Sequence, residues 1–370
     1  MVTRRTLLLS AGLAACSRKL APRYQGWLFV ASEADKGIVV ADLAEFKRVV
    51  TIPLGELPGE ILVSAAGVFV TCPEARLVVQ IDVARLRVQR RISLPGRIIS
   101  AGLVGRSPLL AVLAGHPATL LMLDLASGKI AEKAAVPSVD APTSLPTSLA
   151  TSANMIAIAA GNRIVRFLPG STTPAGETDI GTRPGPMLFR NDGKTILAAA
   201  AETREIVALD AASGGLLSRL PVAVAPRHMC FNADGGQMFV TGSGLDAVVI
   251  VNPYQNEIDQ TVSAGHEPQD LAVQAEQGVL LVANTSSGNL TLLDIDIRRL
   301  AATVTVGGHP GRILVTPGGE YALAVSRDSG DVSVIRMATV LDRKLRTKPV
   351  FTVFPTGARP QSAVIVPYLR

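Results

Sequence analysis

The chain has 370 residues, of which 48% are apolar and 18% charged, so its composition excludes an intrinsically disordered protein. Its length exceeds one ordinary core and allows either two or three domains or one large all-β architecture. Only 4% of residues are aromatic, while 33 are glycine and 24 proline, a mixture typical of many short aliphatic strands joined by tight turns. The net charge of +6 comes without a basic tract interleaved with aromatic residues, which argues against nucleic-acid binding.

Residues 1–15 are predicted to be an export signal. Arg4 and Arg5 precede an apolar run over 7–15, about half the roughly 20 residues needed to span a bilayer. Residues 13–16, Leu-Ala-Ala-Cys, resemble the bacterial lipobox, which makes Cys16 the predicted lipidation site and residues 16–24 a tether. Residues 3–8 resemble a twin-arginine signal, and a plain Sec signal is the alternative. Ser17, in place of Asp after the cysteine, implies sorting to the outer membrane in diderm bacteria.

The other two cysteines, Cys72 and Cys230, lie far apart in the chain. They lack the spacing of a disulfide framework, and no Cys-x-x-Cys-His haem motif occurs. We therefore expect two isolated, buried thiols.

A repeat organises the remainder of the chain. Short apolar runs end in a turn residue at positions 42, 82, 124, 166, 210, 252, 294 and 336. These positions are 40–44 residues apart, and a repeat period of this length indicates a solenoid, a propeller or an array. In the stretch 266–308, the period divides into four runs, at 269–274, 278–284, 289–294 and 301–306, and four antiparallel strands form one propeller blade. The Asp or Asn that ends most third strands can accept a hydrogen bond from the backbone two residues on and open a turn.

The two ends of the repeat predict how the ring closes. Residues 27–55 hold only three strands, at 27–31, 37–42 and 48–54, and an inner strand is missing. The C-terminal run 359–366 looks like an isolated inner strand, which would complete the first blade and remove two exposed edges. Seven complete units follow residue 55, which predicts eight blades. Seven blades is the alternative, and it requires the degenerate unit around Arg166 to be something else.

The repeat resembles the YVTN-type β-propeller repeat over residues 25–370. Proline stands near the start of the first strand at Pro268, Pro310 and Pro360, and Asp-Gly or Gly-Gly hairpins join strands, as at Asp234-Gly235. The resemblance implies a single all-β propeller, and it is one of fold more than of activity.

One face of such a propeller carries both the connections between blades and the loops between second and third strands. All four histidines and several arginines are predicted on that face, where converging positive charge favours an anionic ligand or an acidic peptide. The alternative is structural, with each of these side chains bonding neighbouring loop groups and locking adjacent blades. The ligand-binding candidates are Arg97, Arg183, Arg227, His228, His266, His309, Arg312 and Arg359.

Metal and enzyme hypotheses have weaker support. The weak metal candidates His116, His228, His266 and His309 lack short-range spacing, so we predict neither a metal nor a cofactor. Propeller lactonases and quinone-dependent oxidoreductases need carboxylates in the channel, and the inner strands offer only Glu60 and Asp270. No nucleophile elbow, phosphate loop or dinucleotide fingerprint is present, and no catalytic residue is assigned.

The sequence thus predicts a monomeric binding or scaffolding module, anchored by lipid to the cell envelope on the periplasmic face of the outer membrane. Its loop face would bind a protein or an anionic polymer, because propeller loops carry recognition on a rigid frame. A lactonase, an oxidoreductase or a His-ligated metal propeller, with its site at the channel mouth, is the alternative.

Overall fold

The computed structural model describes residues 23–137, 147–341 and 349–368. The predicted export signal, the lipidation site at Cys16 and most of the tether lie outside these residues. The described part is all-β, with eight antiparallel sheets of four strands each. Each sheet contacts the next one around a closed ring, so the fold is an eight-bladed β-propeller. This confirms the predicted architecture and blade number.

The first blade joins the two ends of the chain. It contains β1 (Gly26–Ser32), β2 (Gly37–Asp42), β3 (Lys47–Pro53) and the last strand, β32 (Pro360–Pro367). In β32, Val364 pairs with Phe29 and the buried Ala363 pairs with Val30, so β32 is the inner strand that the sequence predicts.

Every other blade takes four strands in chain order, from the channel outward. Blade 2 holds β4 (Ile61–Ser64), β5 (Gly67–Cys72), β6 (Leu77–Asp82) and β7 (Arg87–Ser93). Blade 3 holds β8 (Ile98–Leu103), β9 (Leu109–Ala114), β10 (Thr119–Asp124) and β11 (Lys129–Ala135). Blade 4 holds β12 (Ser148–Thr151), β13 (Ile156–Ala160), β14 (Arg163–Phe167) and β15 (Gly176–Asp179). Blade 5 holds β16 (Met187–Phe189), β17 (Thr195–Ala200), β18 (Glu205–Asp210) and β19 (Leu216–Pro221).

The last three blades follow the same order. Blade 6 holds β20 (Ala225–Phe231), β21 (Met238–Ser243), β22 (Ala247–Asn252) and β23 (Glu257–Ser263). Blade 7 holds β24 (Pro268–Gln274), β25 (Val279–Asn284), β26 (Asn289–Asp294) and β27 (Arg299–Thr305). Blade 8 holds β28 (Pro310–Val315), β29 (Tyr321–Ser326), β30 (Asp331–Arg336) and β31 (Val350–Pro355), with the short helix α1 (Met337–Leu341) between its last two strands.

The core lies between the blades. The second and third strands are buried on both faces, and all six residues of β25 are buried. Eight apolar clusters occupy the eight seams, each built from two neighbouring blades. Valine, isoleucine, leucine and alanine fill these seams, which explains how the ring packs with so few aromatic residues. Fully burying one such aliphatic side chain stabilises the fold by about 1.5–3 kcal/mol.

The predicted turn chemistry is confirmed where the third strand ends. The carboxylate of Asp124 accepts the amide N–H groups of Ala126 and Ser127, at 2.8 and 3.2 Å. The carboxylate of Asp294 accepts those of residues 296 and 297, at 3.0 and 3.1 Å. These bonds hold the chain in the turn that opens the fourth strand.

The unit around Arg166 is a complete blade, with an arginine where most blades have the turn-forming Asp or Asn. The side chain of Arg166 is 3% exposed, and its guanidinium donates to the backbone carbonyls of Ala211, at 3.1 Å, and Ser213, at 2.9 Å, in blade 5. A Cβ atom at Gly176 or Gly214 would collide with this guanidinium, so both glycines make room for it. Arg166 therefore joins blade 4 to blade 5.

Both cysteines in the described residues are free thiols. Cys72 is buried as predicted, whereas Cys230 is only partly buried. Within the described ranges, no helix combines the length and apolar character needed to cross a membrane.

Candidate functional site

The upper face of the propeller, defined here as the face with the blade-to-blade connections and the loops between second and third strands, is shaped by β-bulges. The bulges lie at the start of the inner strands and place an extra residue there, such as Arg227 in β20, Gly311 in β28 and Gln361 in β32. A bulge bends a strand and redirects the side chains beside it. The same local irregularity therefore recurs around the channel mouth.

The side chain two residues after the proline is polar in five consecutive blades. From blade 6 through blade 1 to blade 2, these residues are His228, Asp270, Arg312, Ser362 and Glu60. Since each follows a proline at an equivalent place, the repeat itself brings them to the same level of the channel.

The five polar residues that follow the inner-strand prolines form an arc around the channel. Hydrogen bonds between neighbouring blades fix part of this arc. The amide N–H of Ile313 donates to Asp270 at 2.7 Å, and a guanidinium nitrogen of Arg312 lies 3.5 Å from the other carboxylate oxygen. In the same way, the amide N–H of Ile61 in blade 2 donates to the hydroxyl of Ser362 in blade 1, at 3.2 Å. Burial raises the pKa of Asp270, and the charge of Arg312 opposes that rise.

Three cavities open along this arc. The large cavity, of about 630 Å³, lies between blades 6 and 7 and reaches Gln269. The small cavity, of about 110 Å³, lies beside β28 and is lined by both Gln269 and Gln361. The acidic cavity, of about 450 Å³, begins at Gln361 and extends over blades 2 and 3. The shared glutamines place the small cavity between the other two.

The large cavity combines charged and apolar walls. Arg227 is exposed and takes part in none of the ion pairs between described residues. The ring nitrogen Nδ1 of His266 lies 2.7 Å from Asp246, and this hydrogen bond raises the pKa of His266 and lowers that of Asp246. Leu245, 44% exposed, supplies an apolar wall.

His228, also in the wall of the large cavity, has the opposite electrostatic character. Burial lowers its pKa; Asp270 opposes this effect, and the charges of Arg227 and Arg312 add to it. His228 is therefore a neutral imidazole at neutral pH, able to accept a proton or a hydrogen bond.

The small and acidic cavities differ in charge. Arg312, Arg327 and His309 line the small cavity, and no carboxylate does. Glu33, Glu60 and Glu74 line the acidic cavity; Glu74 is paired with Arg97 at 2.6 Å. Glu60 is exposed to the channel, yet crowding by protein atoms raises its pKa. The small cavity is thus lined by basic groups, whereas the carboxylates outnumber the basic groups in the lining of the acidic cavity.

The structure brings some of the predicted candidates together and separates others. Arg227, His228 and His266 share the large cavity, His309 and Arg312 share the small one, and Arg97 lies in the acidic one. Arg183, Arg359 and His116 line none of these three cavities.

Among the described residues, no three His, Cys, Asp or Glu side chains form a group that could hold a metal ion. Sequence reasoning also missed Arg327 and the shared glutamines. The recurring position after the inner-strand proline was the signal that could have found Gln269 and Gln361.

No protein-family model and no curated protein matches the chain. Solved structures do match it. The dihydro-heme d1 dehydrogenase NirN, in complex with DHE, has a TM-score of 0.74 at 14% identity, covering 94% of this chain and 76% of that one. Apo AztD from Citrobacter koseri has a TM-score of 0.69 at 13% identity, covering 94% of this chain and all of the other.

A candidate 6-phosphogluconolactonase from Bacteroides fragilis has a TM-score of 0.59 at 16% identity, covering 94% and 99%. At such identities these likenesses show the propeller fold alone.

Proposed function

We propose that the protein is an exported, lipid-anchored binding propeller of the YVTN-like repeat type that holds a small amphiphilic organic anion in its large cavity. The observation that carries this proposal is the cavity of about 630 Å³ between blades 6 and 7, with Arg227 in its wall. Ligand sites of roughly 300–1,000 Å³ with a few convergent polar groups are typical of small-molecule binding. This geometry favours a small molecule over the protein or polymer partner that the sequence alone suggests.

The chemistry of the walls specifies the ligand further. Leu245 and Pro268 offer apolar contact, and Gly242 and Gly244 present backbone without a side chain. Besides the ion pair between His266 and Asp246, the walls carry the Glu267 carboxylate, which accepts a hydrogen bond from the Ser286 hydroxyl, and the Arg227 guanidinium. Arg227 is therefore the cation available to an anionic ligand. A molecule with an apolar body and a carboxylate would match both features, because guanidinium binds carboxylates with directed hydrogen bonds.

A porphyrin with carboxylate side chains is a suitable probe for this site. It has an apolar, planar body and anionic groups, and NirN, with the same fold, is found in complex with DHE. Titration of mesoporphyrin IX, followed by its fluorescence anisotropy, should show saturable binding that weakens as salt rises.

Substitutions test whether the large cavity is the binding site. Arg227→Ala should weaken binding about tenfold or more, since hydrogen bonds to charged groups contribute about 1.5–3 kcal/mol. Arg183→Ala is the matched control, an exposed arginine on another connection of the same face and outside the three cavities, and it should leave affinity unchanged. Absence of saturable binding, or equal loss in both variants, would contradict the proposal.

A second candidate function is lactone hydrolysis, favoured by the neutral imidazole of His228 near Asp270. An imidazole in this state can take a proton from water that attacks a carbonyl carbon. The test is hydrolysis of gluconolactone above the spontaneous rate. Turnover that His228→Ala abolishes, in a variant with unchanged thermal stability, would support the enzyme, whereas equal rates with and without protein would remove this candidate.

The envelope location is a proposal with its own experiment. Acylation of Cys16 would place the protein in the membrane fraction of a diderm host, and Cys16→Ser should move it to the soluble periplasmic fraction. Recovery of both forms in the soluble fraction would count against the anchor.

A further inference from the structure

We infer that the small cavity is an oxyanion site, which takes the phosphate or carboxylate headgroup of the ligand; the assignment of the ligand's body to the large cavity rests on the proposed function. The inference starts from the charge of the walls. Arg312 and Arg327 bring two guanidinium groups and His309 brings an imidazole, with no carboxylate in the lining. Unneutralised positive charge in a concave site concentrates anions.

The acids nearest to these groups do not use up their donors. Arg312 has one guanidinium nitrogen 3.5 Å from Asp270, which is the outer limit of hydrogen bonding, and its side chain is 49% exposed. The other oxygen of Asp270 is already bonded to a backbone amide. His309 lies 3.9 Å from Asp328, too far for a hydrogen bond. Arg327 takes part in no ion pair with another described residue. Most of the N–H donors of the two guanidinium groups are therefore available.

The backbone holds the basic groups in place. His309 has φ of 55°, in the left-handed region, and its carbonyl accepts the amide N–H of Arg327 at 2.9 Å. This bond ties the connection before β28 to the loop after β29. The hydroxyl of Ser362 already accepts the amide N–H of Ile61, so its own O–H is free to donate. The side-chain amide nitrogen of Gln361 is committed to Glu33 at 2.8 Å. The donors of the site are thus the two arginines, the imidazole, the hydroxyl of Ser362 and the side-chain amide of Gln269, which also lines the cavity.

The volume decides what size of group the small cavity can take. About 110 Å³ is space enough for one phosphate or carboxylate group, and it is smaller than the roughly 300–1,000 Å³ typical of sites that bury a whole organic ligand. Because Gln269 lines both the small and the large cavity, a headgroup in the first can be continuous with a body in the second.

Oxyanions are the anions that this donor set recognises. A guanidinium group presents parallel N–H donors that match two oxygens of a carboxylate or a phosphate, which a simple point charge does not do. The chemistry shared by these two headgroups is the pair of oxygens, and the choice between them is left to the experiment.

The test uses inorganic phosphate and acetate with the folded protein. Calorimetric titration at constant ionic strength, with chloride as the reference anion, should show saturable binding of one of the two. A preference for phosphate identifies a phosphorylated ligand, and a preference for acetate identifies a carboxylated one. Arg327→Gln should weaken this binding at least tenfold, and it leaves the contact between Arg312 and Asp270 intact. Arg76→Gln, an exposed arginine on the same face outside the three cavities, should have no effect.

The outcomes separate this inference from the proposed function. Saturable porphyrin binding without a preference for phosphate or acetate over chloride would overturn the oxyanion site and leave the large cavity as the ligand site. Oxyanion binding that Arg327→Gln removes, in a protein that binds no porphyrin, would support the oxyanion site and contradict the proposed function. Equal loss of oxyanion binding in Arg327→Gln and Arg76→Gln would also overturn the inference, since only one of them lines the cavity.

Discussion

Replacing Arg166 by Met should destabilise the ring at the seam between blades 4 and 5. Methionine nearly preserves the length of the side chain and removes the guanidinium. The carbonyl of Ala211 then loses its donor in a buried setting, while those of Ala212 and Ser213, which are part-buried, can turn to water. The substitution therefore isolates the hydrogen bonds from most of the packing.

The size of the effect follows from these three contacts. An unsatisfied buried carbonyl costs about 1–3 kcal/mol, and a hydrogen bond that regains water costs about 0.5–1.5 kcal/mol. Burial also lowers the pKa of Arg166, and removing a poorly solvated charge returns part of that loss. We expect the free energy of unfolding to fall by about 2–4 kcal/mol. For a domain spanning residues 25–370, with an unfolding entropy near 0.7 kcal/mol/K, the midpoint falls by about 3–6 °C.

Thermal unfolding followed by circular dichroism and calorimetry measures this change. Arg163→Met is the matched control on the same strand, since Arg163 forms an exposed ion pair with Glu177, and such pairs contribute less than about 1 kcal/mol. Equal midpoints for Arg166→Met and the wild type would refute the reasoning that the guanidinium joins the two blades. Equal losses in the two variants would refute it as well.

Three further predictions concern the histidines, the thiols and ring closure. In an NMR titration, His266 should titrate above pH 6.5 and His228 below it, and a lower pKa for His266 than for His228 would contradict the structure. The ion pair of His266 with Asp246 therefore stabilises the fold below pH 6.5, and this stabilisation is lost as pH rises through the raised pKa of His266. Burial raises the pKa of Cys72 to about 11 and that of Cys230 to about 12, so iodoacetamide at pH 8 should label neither in the native domain lacking the N-terminal cysteine; rapid labelling of either would count against this. Ala363→Asp places a carboxylate at a fully buried site of the closing strand and should lower the free energy of unfolding by about 3 kcal/mol or more. An unchanged midpoint of thermal unfolding would show that β32 does not close the ring.

Much of the fold was predictable because the same four-strand pattern recurs along the chain. A residue such as Asp124 or Asp294 marks the end of a third strand by local hydrogen bonding, which depends on neighbours in the chain and not on tertiary context. Strand ends moved by one or two residues, as in β27, predicted to begin at residue 301 and observed from Arg299. Pairing continues into the turn there, and the sequence pattern does not record that.

For the candidate site, the sequence predicted only the face of the propeller on which it lies. Counting strands placed His266, Arg227 and Arg312 on the upper face, since loop positions follow from strand order. Whether an arginine on this face keeps its guanidinium unpaired depends on acidic partners from other blades. Arg97 meets Glu74, from the preceding blade, whereas Arg227 meets no such partner among the described residues. That distinction is tertiary, because the acid and the base come from loops more than 20 residues apart.

The sequence by itself predicted the closure of the ring and the face on which the loops gather, since both follow from counting strands along the repeat, and it favoured eight blades over seven. Only the tertiary structure decided how the polar side chains after the inner-strand prolines are shared among cavities. Closing eight blades around one channel brings Asp270 to Arg312 and leaves two arginines beside a small cavity without a carboxylate. The charge of a cavity depends on which side chains of neighbouring blades contact one another, and the packing of the blades fixes those contacts.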